Sequence, residues 1–213
     1  MSTGVNIGGT WRNIVGASVN IGGTWRNVTE IWCNIGGTWR KAWTAVEPGR
    51  LYHCDAAADK NYELNPDTLA AINTVASPSV YPSGIGGMGS RLYHCDQNLG
   101  KNYELNANTL VAINTVTSLS VNPSGIGGMG SRLYHCDAAA DKNYELNPDT
   151  LAAINTVTSP SVEPSGIGGM GSRLYHCDQN LDKNYELNPD TLAAINTVTS
   201  PSGNPSGIGG LKG

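Results

Sequence analysis

The chain has 213 residues, of which 14% are charged, with 27 glycines, no phenylalanine and a net charge of −4. That balance speaks against a nucleic-acid partner, which calls for a basic face, and no run of about 18 apolar residues is present to cross a membrane as a helix. Low charge with abundant Gly, Asn, Ser and Thr marks a turn-rich β protein.

The first 49 residues carry a 14-residue repeat. Asn6-Ile7-Gly8-Gly9-Thr10-Trp11-Arg12 returns at Asn20 and at Asn34. Each copy reads as strand, Gly-Gly turn, strand, because paired glycines accept the positive φ angles of a two-residue type I′ hairpin. The expectation is a short meander of three hairpins, with Trp11, Trp25 and Trp39 on one face and arginines on the other. Cys33 stands where Val5 and Val19 stand in the other copies, which points to a small hydrophobe. These units resemble the "VNVGGTWR" repeats near the ends of tail, fibre and minor virion proteins of tailed bacteriophages. The resemblance covers roughly residues 5–43 and implies that the three tryptophans are attachment residues, docking on other virion proteins or on sister chains.

Composition changes sharply at Glu47-Pro48-Gly49. Residues 1–49 hold four basic and two acidic residues and all five tryptophans, whereas 50–213 hold nine basic and fifteen acidic residues and all nine tyrosines. Two domains are expected, 1–49 and 50–213. The second is one 41-residue unit written four times, starting at Arg50, Arg91, Arg132 and Arg173 with no insertion or deletion. A period near 40 built from short alternating segments is the mark of a β-propeller.

Within a copy, Leu51–Asp55 and Asn61–Asn65 alternate as strands. Asn65-Pro66-Asp67-Thr68 is a turn, and Leu69–Val75 is a third strand rich in Ile, Val, Thr and Leu. A proline-containing loop follows, then a glycine-rich strand from Gly84. The unit resembles the YVTN-type propeller blade through Gly125-Ile126, Gly130-Ser131-Arg132-Leu133-Tyr134, Tyr144–Leu151 and Ile154–Val157. That resemblance spans residues 50–211. It implies an all-β, four-bladed β-propeller, with the glycine strand innermost (A) and the others following as B, C and D. The array opens on a B strand and ends on an A strand, Gly207–Leu211. Strand exchange onto the first copy would close the ring. The alternative is a half-ring that completes itself with a second chain.

His and Cys are adjacent in every copy, but neighbours on a strand face opposite ways, so His53 and Cys54 cannot form a dyad. Bridging of equivalent cysteines needs Cα atoms within about 7 Å, closer than neighbouring blades should bring them. The cysteines therefore read as buried hydrophobes, the histidines as hydrogen-bonded between blades, and no metal site, cofactor or catalytic set is expected. The copies differ mainly in two loops. The B–C loop carries Gln97 and Asn98, and Gln179 and Asn180, in alternate copies. The D–A loop carries Tyr81, Asn122, Glu163 and Asn204 at one position. Both loops should lie on one face, forming a candidate binding rim. Two functions are consistent with this pattern. One is a virion structural protein, assembled in the bacterial cytoplasm, whose propeller contacts a host surface or neighbouring subunits. The other is a free lectin-like module that binds a host-surface glycan. Neither inserts in a membrane. The N-terminus has no basic segment followed by an apolar core, so no secretory signal is expected.

Overall fold

The computed structural model describes residues 4–7, 10–13, 18–28, 30–35, 37–44, 49–119, 121–201 and 203–208. The chain divides into two compact units, Met1–Gly49 and Arg50–Gly213.

The first unit contains β1 (Gly4–Ile7), β2 (Thr10–Asn13), β3 (Ser18–Ile21), β4 (Thr24–Asn27), β5 (Glu30–Ile35) and β6 (Thr38–Thr44). Instead of the expected meander, the described strands form three separate two-stranded sheets, β1-β2, β3-β4 and β5-β6. Pairing across a two-residue turn closes the shortest loop available, so it carries the smallest entropy cost. Gly22 and Gly23 have φ of +60° and +84°, as the hairpin turn requires. The Asn20 side-chain oxygen accepts from the Gly23 amide at 2.9 Å, and Asn34 does the same for Gly37. The register sets Asn opposite Trp and Val or Cys opposite Arg in every hairpin, so the Trp and Arg positions lie on opposite faces. The side chains of Trp11, Trp25, Trp39 and Cys33 are outside the described part.

The second unit is an array of antiparallel sheets arranged as a four-bladed β-propeller. Blade one has β7 (Leu51–Asp55), β8 (Lys60–Leu64) and β9 (Ala71–Ala76). Blade two has β10 (Pro82–Met88), β11 (Arg91–Asp96), β12 (Lys101–Leu105) and β13 (Ala112–Thr117). Blade three has β14 (Pro123–Met129), β15 (Arg132–Asp137), β16 (Lys142–Leu146) and β17 (Ala153–Thr158). Blade four has β18 (Pro164–Met170), β19 (Arg173–Asp178), β20 (Lys183–Leu187) and β21 (Ala194–Thr199). Blades two to four pair in chain order from inner to outer strand, and blade one pairs as β7-β8-β9.

Two strand limits differ from the sequence reading. The inner strands begin at proline, with a bulge between Pro82 and Gly84 and its equivalents. Proline is tolerated there because the first residue of a strand need not donate. The outer strands begin two residues late, because Leu69, Leu110, Leu151 and Leu192 sit in the preceding turn at φ of +56° to +58°. In that turn the Asn106 side chain caps the amides of Asn108 and Thr109, and the Leu110 amide donates to the Asn106 carbonyl at 2.7 Å. A leucine in the left-handed region is strained. Its compensation is burial, since Leu110, Leu151 and Leu192 are 0–3% exposed.

Glycine is required on the inner strands because the backbones of neighbouring blades nearly touch. A Cβ on Gly86 would lie 2.4 Å from the Ile126 carbonyl oxygen, and one on Gly127 2.6 Å from that of Ile167. Farther out, apolar side chains fill the gaps between blades. Tyr93 and Cys95 pack with Leu133, Leu146 and Leu151 of blade three, and Tyr134 and Cys136 pack with Leu174, Leu187 and Leu192 of blade four. Polar contacts follow the same step. The Tyr93 hydroxyl donates to the Pro148 carbonyl at 3.3 Å. Arg91 lies 5.4 Å over the Tyr93 ring, forks onto Glu104 at 2.7 and 2.8 Å, and reaches Asp149 of the next blade at 2.5 Å.

The predicted closing ladder is not formed by the described residues. Ser165 donates to the Pro205 carbonyl at 2.5 Å, and a Cβ on Gly166 would lie 2.9 Å from the Gly207 Cα. The final segment therefore starts beside β18 as each inner strand starts beside its predecessor. Gly207 and Ile208, however, make no ladder with β7, and Gly209–Gly213 lie outside the described residues. A cavity of about 420 Å³ is lined by the Ser-Gly-Ile starts of the inner segments and by Tyr52, His53 and Cys54 of β7.

Candidate functional site

The loops that carry the predicted rim positions form a hydrogen-bonded chain. From below, Asp55, Asp96, Asp137 and Asp178 each accept amides of their own B–C loop, for example Asp96 from Leu99 at 2.8 Å and Asp137 from Ala139 and Ala140 at 3.0 Å. From the side, Asp59, Asp141 and Asp182 at the end of that loop accept the amides of Tyr81, Glu163 and Asn204 at 2.9, 2.9 and 2.7 Å. Those D–A residues in turn grip the next blade. The carbonyls of Tyr81, Asn122 and Glu163 accept from Gln97, Ala138 and Gln179 at 3.2, 3.1 and 3.3 Å. The variable positions thus sit on loops fixed at both ends.

One link differs. The turn demands a left-handed residue after the B–C loop, with φ of +52° to +55° in all four blades. Aspartate fills it three times, and Gly100 fills it in blade two. Glycine meets the backbone demand without strain but offers no carboxylate to the Asn122 amide. Tyr81, Glu163 and Asn204 have φ of +56° to +66°, and Asn122 does not share that conformation. Blade two also has Leu119 where the other blades have Pro78, Pro160 and Pro201. Around this break, Tyr81, Gln97, Asn98 and Asn122 enclose a cleft of about 290 Å³. An adjoining cleft of about 260 Å³ is lined by Asn98, Leu99, Gly100, Leu119 and Val121, among others. Of the eight predicted rim residues, the structure brings these four together. Glu163, Gln179, Asn180 and Asn204 lie on the equivalent loops toward blade four. Gly100 and Leu119 were not among the predicted site residues, although each is a single departure from a fourfold pattern and so was visible.

The histidines join blades. Ser77, Ser118 and Ser159 approach the Nε2 atoms of His94, His135 and His176 at 3.3–3.4 Å from the preceding blade. His135 and His176 direct Nδ1 at the carbonyls of Gly125 and Gly166 at 3.0 Å. A carbonyl can only accept, so Nδ1 carries the proton and Nε2 receives the serine hydroxyl. Burial lowers all three rings to a pKa of about 4. Cys95, Cys136 and Cys177 are buried free thiols whose pKa burial raises, and Cys54 is pushed up to about 11. Among the described residues, no three His, Cys, Asp or Glu side chains come together as a metal site.

No protein-family model matches the chain, and no curated protein does. Solved structures match as folds. Glutaminyl cyclase of Myxococcus xanthus aligns with a TM-score of 0.64 at 14% identity, over 76% of this chain and 77% of that one. Virginiamycin B lyase of Staphylococcus aureus aligns at 0.55 and 14%, over 93% of this chain and 83% of that one. The WD40 repeats of RRP9 align at 0.55 and 8%, over 68% of this chain but only 46% of that one. The chain has a β-propeller fold. At these identities the likeness extends to fold alone.

Proposed function

We propose that this chain is a non-catalytic recognition component of a bacteriophage virion, attached through its N-terminal hairpins and presenting the propeller rim to a host surface. The observation that carries the recognition half is the rim itself. Loops that vary between copies are clamped by a repeating set of carboxylate and carbonyl contacts. A rigid frame with variable tips lowers the ordering cost of binding. The described titratable groups support a structural role, since the buried histidines and cysteines are used between blades and recur in each full blade. The attachment half rests on the threefold Gly-Gly-Thr-Trp-Arg string at residues 8–12, 22–26 and 36–40 and its resemblance to phage repeats. Mass spectrometry of purified phage particles is the test. The expected result is the full chain at fixed stoichiometry per particle, and a chain found only in the unassembled fraction removes the proposal.

A further inference from the structure

The geometry points to a single saccharide site in blade two, created by the Gly100 break, that takes two linked neutral sugar units. The inference rests on the recognition reading of the rim and deepens it. The two clefts adjoin and share Asn98. At about 290 and 260 Å³ each lies near the lower end of ligand pockets, about 300–1,000 Å³, which is room for one sugar ring apiece.

The lining selects the ligand. Among the described residues no charged side chain borders either cleft, so nothing described there would offset the desolvation of an ionic ligand. Gln97, Asn98 and Asn122 supply amides, and an amide both donates and accepts. A sugar hydroxyl has the same double character, so each amide can satisfy one. Apolar surface stands beside them: Tyr81 is 59% exposed, and Leu99, Leu119 and Val121 are 50%, 52% and 78% exposed. A pyranose presents hydroxyls at its rim and C–H groups on its face, and this is the surface it matches. Tyr81 is held for the purpose, its amide anchored to Asp59 and its carbonyl to the Gln97 amide.

The other blades do not reproduce the combination. The loops of blade three carry alanines in place of Gln97 and Asn98, and the blade-four loops face Glu163 where blade two faces Tyr81. Asp141 and Asp182 also accept the amides of Glu163 and Asn204, a contact that Gly100 cannot make to Asn122. Blade two therefore combines Tyr81, Gln97 and Asn98 with Gly100 and Leu119, a set that no other blade repeats.

The test is a titration of the isotope-labelled full chain, followed by backbone and side-chain amide NMR. The probes are maltose, cellobiose and lactose, with glucose and galactose as single units and sialyllactose as the charged control. At least one neutral disaccharide should give saturable shifts at the Gln97, Asn98 and Asn122 side-chain amides, at least fivefold tighter than its monosaccharide and the charged control. Gly100→Asp restores the carboxylate found in the other blades and should weaken binding at least tenfold. Because aspartate already occupies that turn three times, the variant should keep its melting temperature. Tyr81→Ser, an exposed change, should do the same to binding and covers the case in which Gly100→Asp fails to fold. Absence of saturable shifts with every probe overturns the inference, as does binding that both variants leave intact. If the chain is found in particles and binds none of these sugars, the virion role stands and this site falls.

Discussion

The joints between consecutive blades and the seam where blade four would meet blade one are made of the same residues in different circumstances. At a joint, Leu151 is 3% exposed and its strained turn is offset by burial. At the seam, Leu69 has the same φ, +58°, and is 65% exposed. Arg132 bridges Glu145 and reaches Asp190 of the next blade at 2.6 Å. Arg173 pairs with Glu186 of its own blade, and among the described residues it makes no bridge to Asp67, which occupies the position equivalent to Asp190. His94, His135 and His176 are fully buried, whereas His53 is exposed. An identical repeat therefore does not confer identical stability. Each residue's contribution depends on whether a neighbouring blade covers it.

The largest effect should come from acid. The buried rings have pKa values near 4 against about 6.5 when unfolded, so the unfolded chain binds more protons between those values. Stability should be full above about pH 6.5 and fall as pH drops toward 4, by on the order of 3 kcal/mol per buried ring. Melting temperature followed by circular dichroism across that window checks this. A flat profile would mean the joints admit water.

Next comes leucine truncation. Leu151→Ala should cost about 2–4 kcal/mol, and Leu69→Ala less than about 0.5 kcal/mol, read as urea midpoints. Equal losses would show that the seam is covered in solution. A smaller contrast is expected among the arginines. Arg132→Ala removes a fork, a bridge to the next blade and a ring contact, at about 1 kcal/mol. Arg173→Ala should shift the midpoint less. The mildest probe is thiol labelling of a Cys33→Ser variant under native conditions. Cys54 should react first, because Cys95, Cys136 and Cys177 are completely buried.

Most of the architecture is written locally. Alternation in Arg91–Asp96 and Lys101–Leu105, the Asn-Pro-Asp-Thr turn and the Gly-Gly hairpins each specify their element by themselves, because period, cap and φ demand are properties of a few consecutive residues. Repetition adds the blade, and the differing loop positions mark eight candidate rim residues, of which the structure groups Tyr81, Gln97, Asn98 and Asn122 around one cleft. Only the tertiary structure decides that Leu110 leaves its strand to plug the neighbouring blade, that Gly86 faces another backbone at contact distance, and that Asp59 rather than its own loop holds Tyr81. It alone also shows that Gly207 and Ile208 do not complete the ladder on β7. Those facts concern groups 20 or more residues apart in the chain, and their energies depend on packing between surfaces that no single repeat contains.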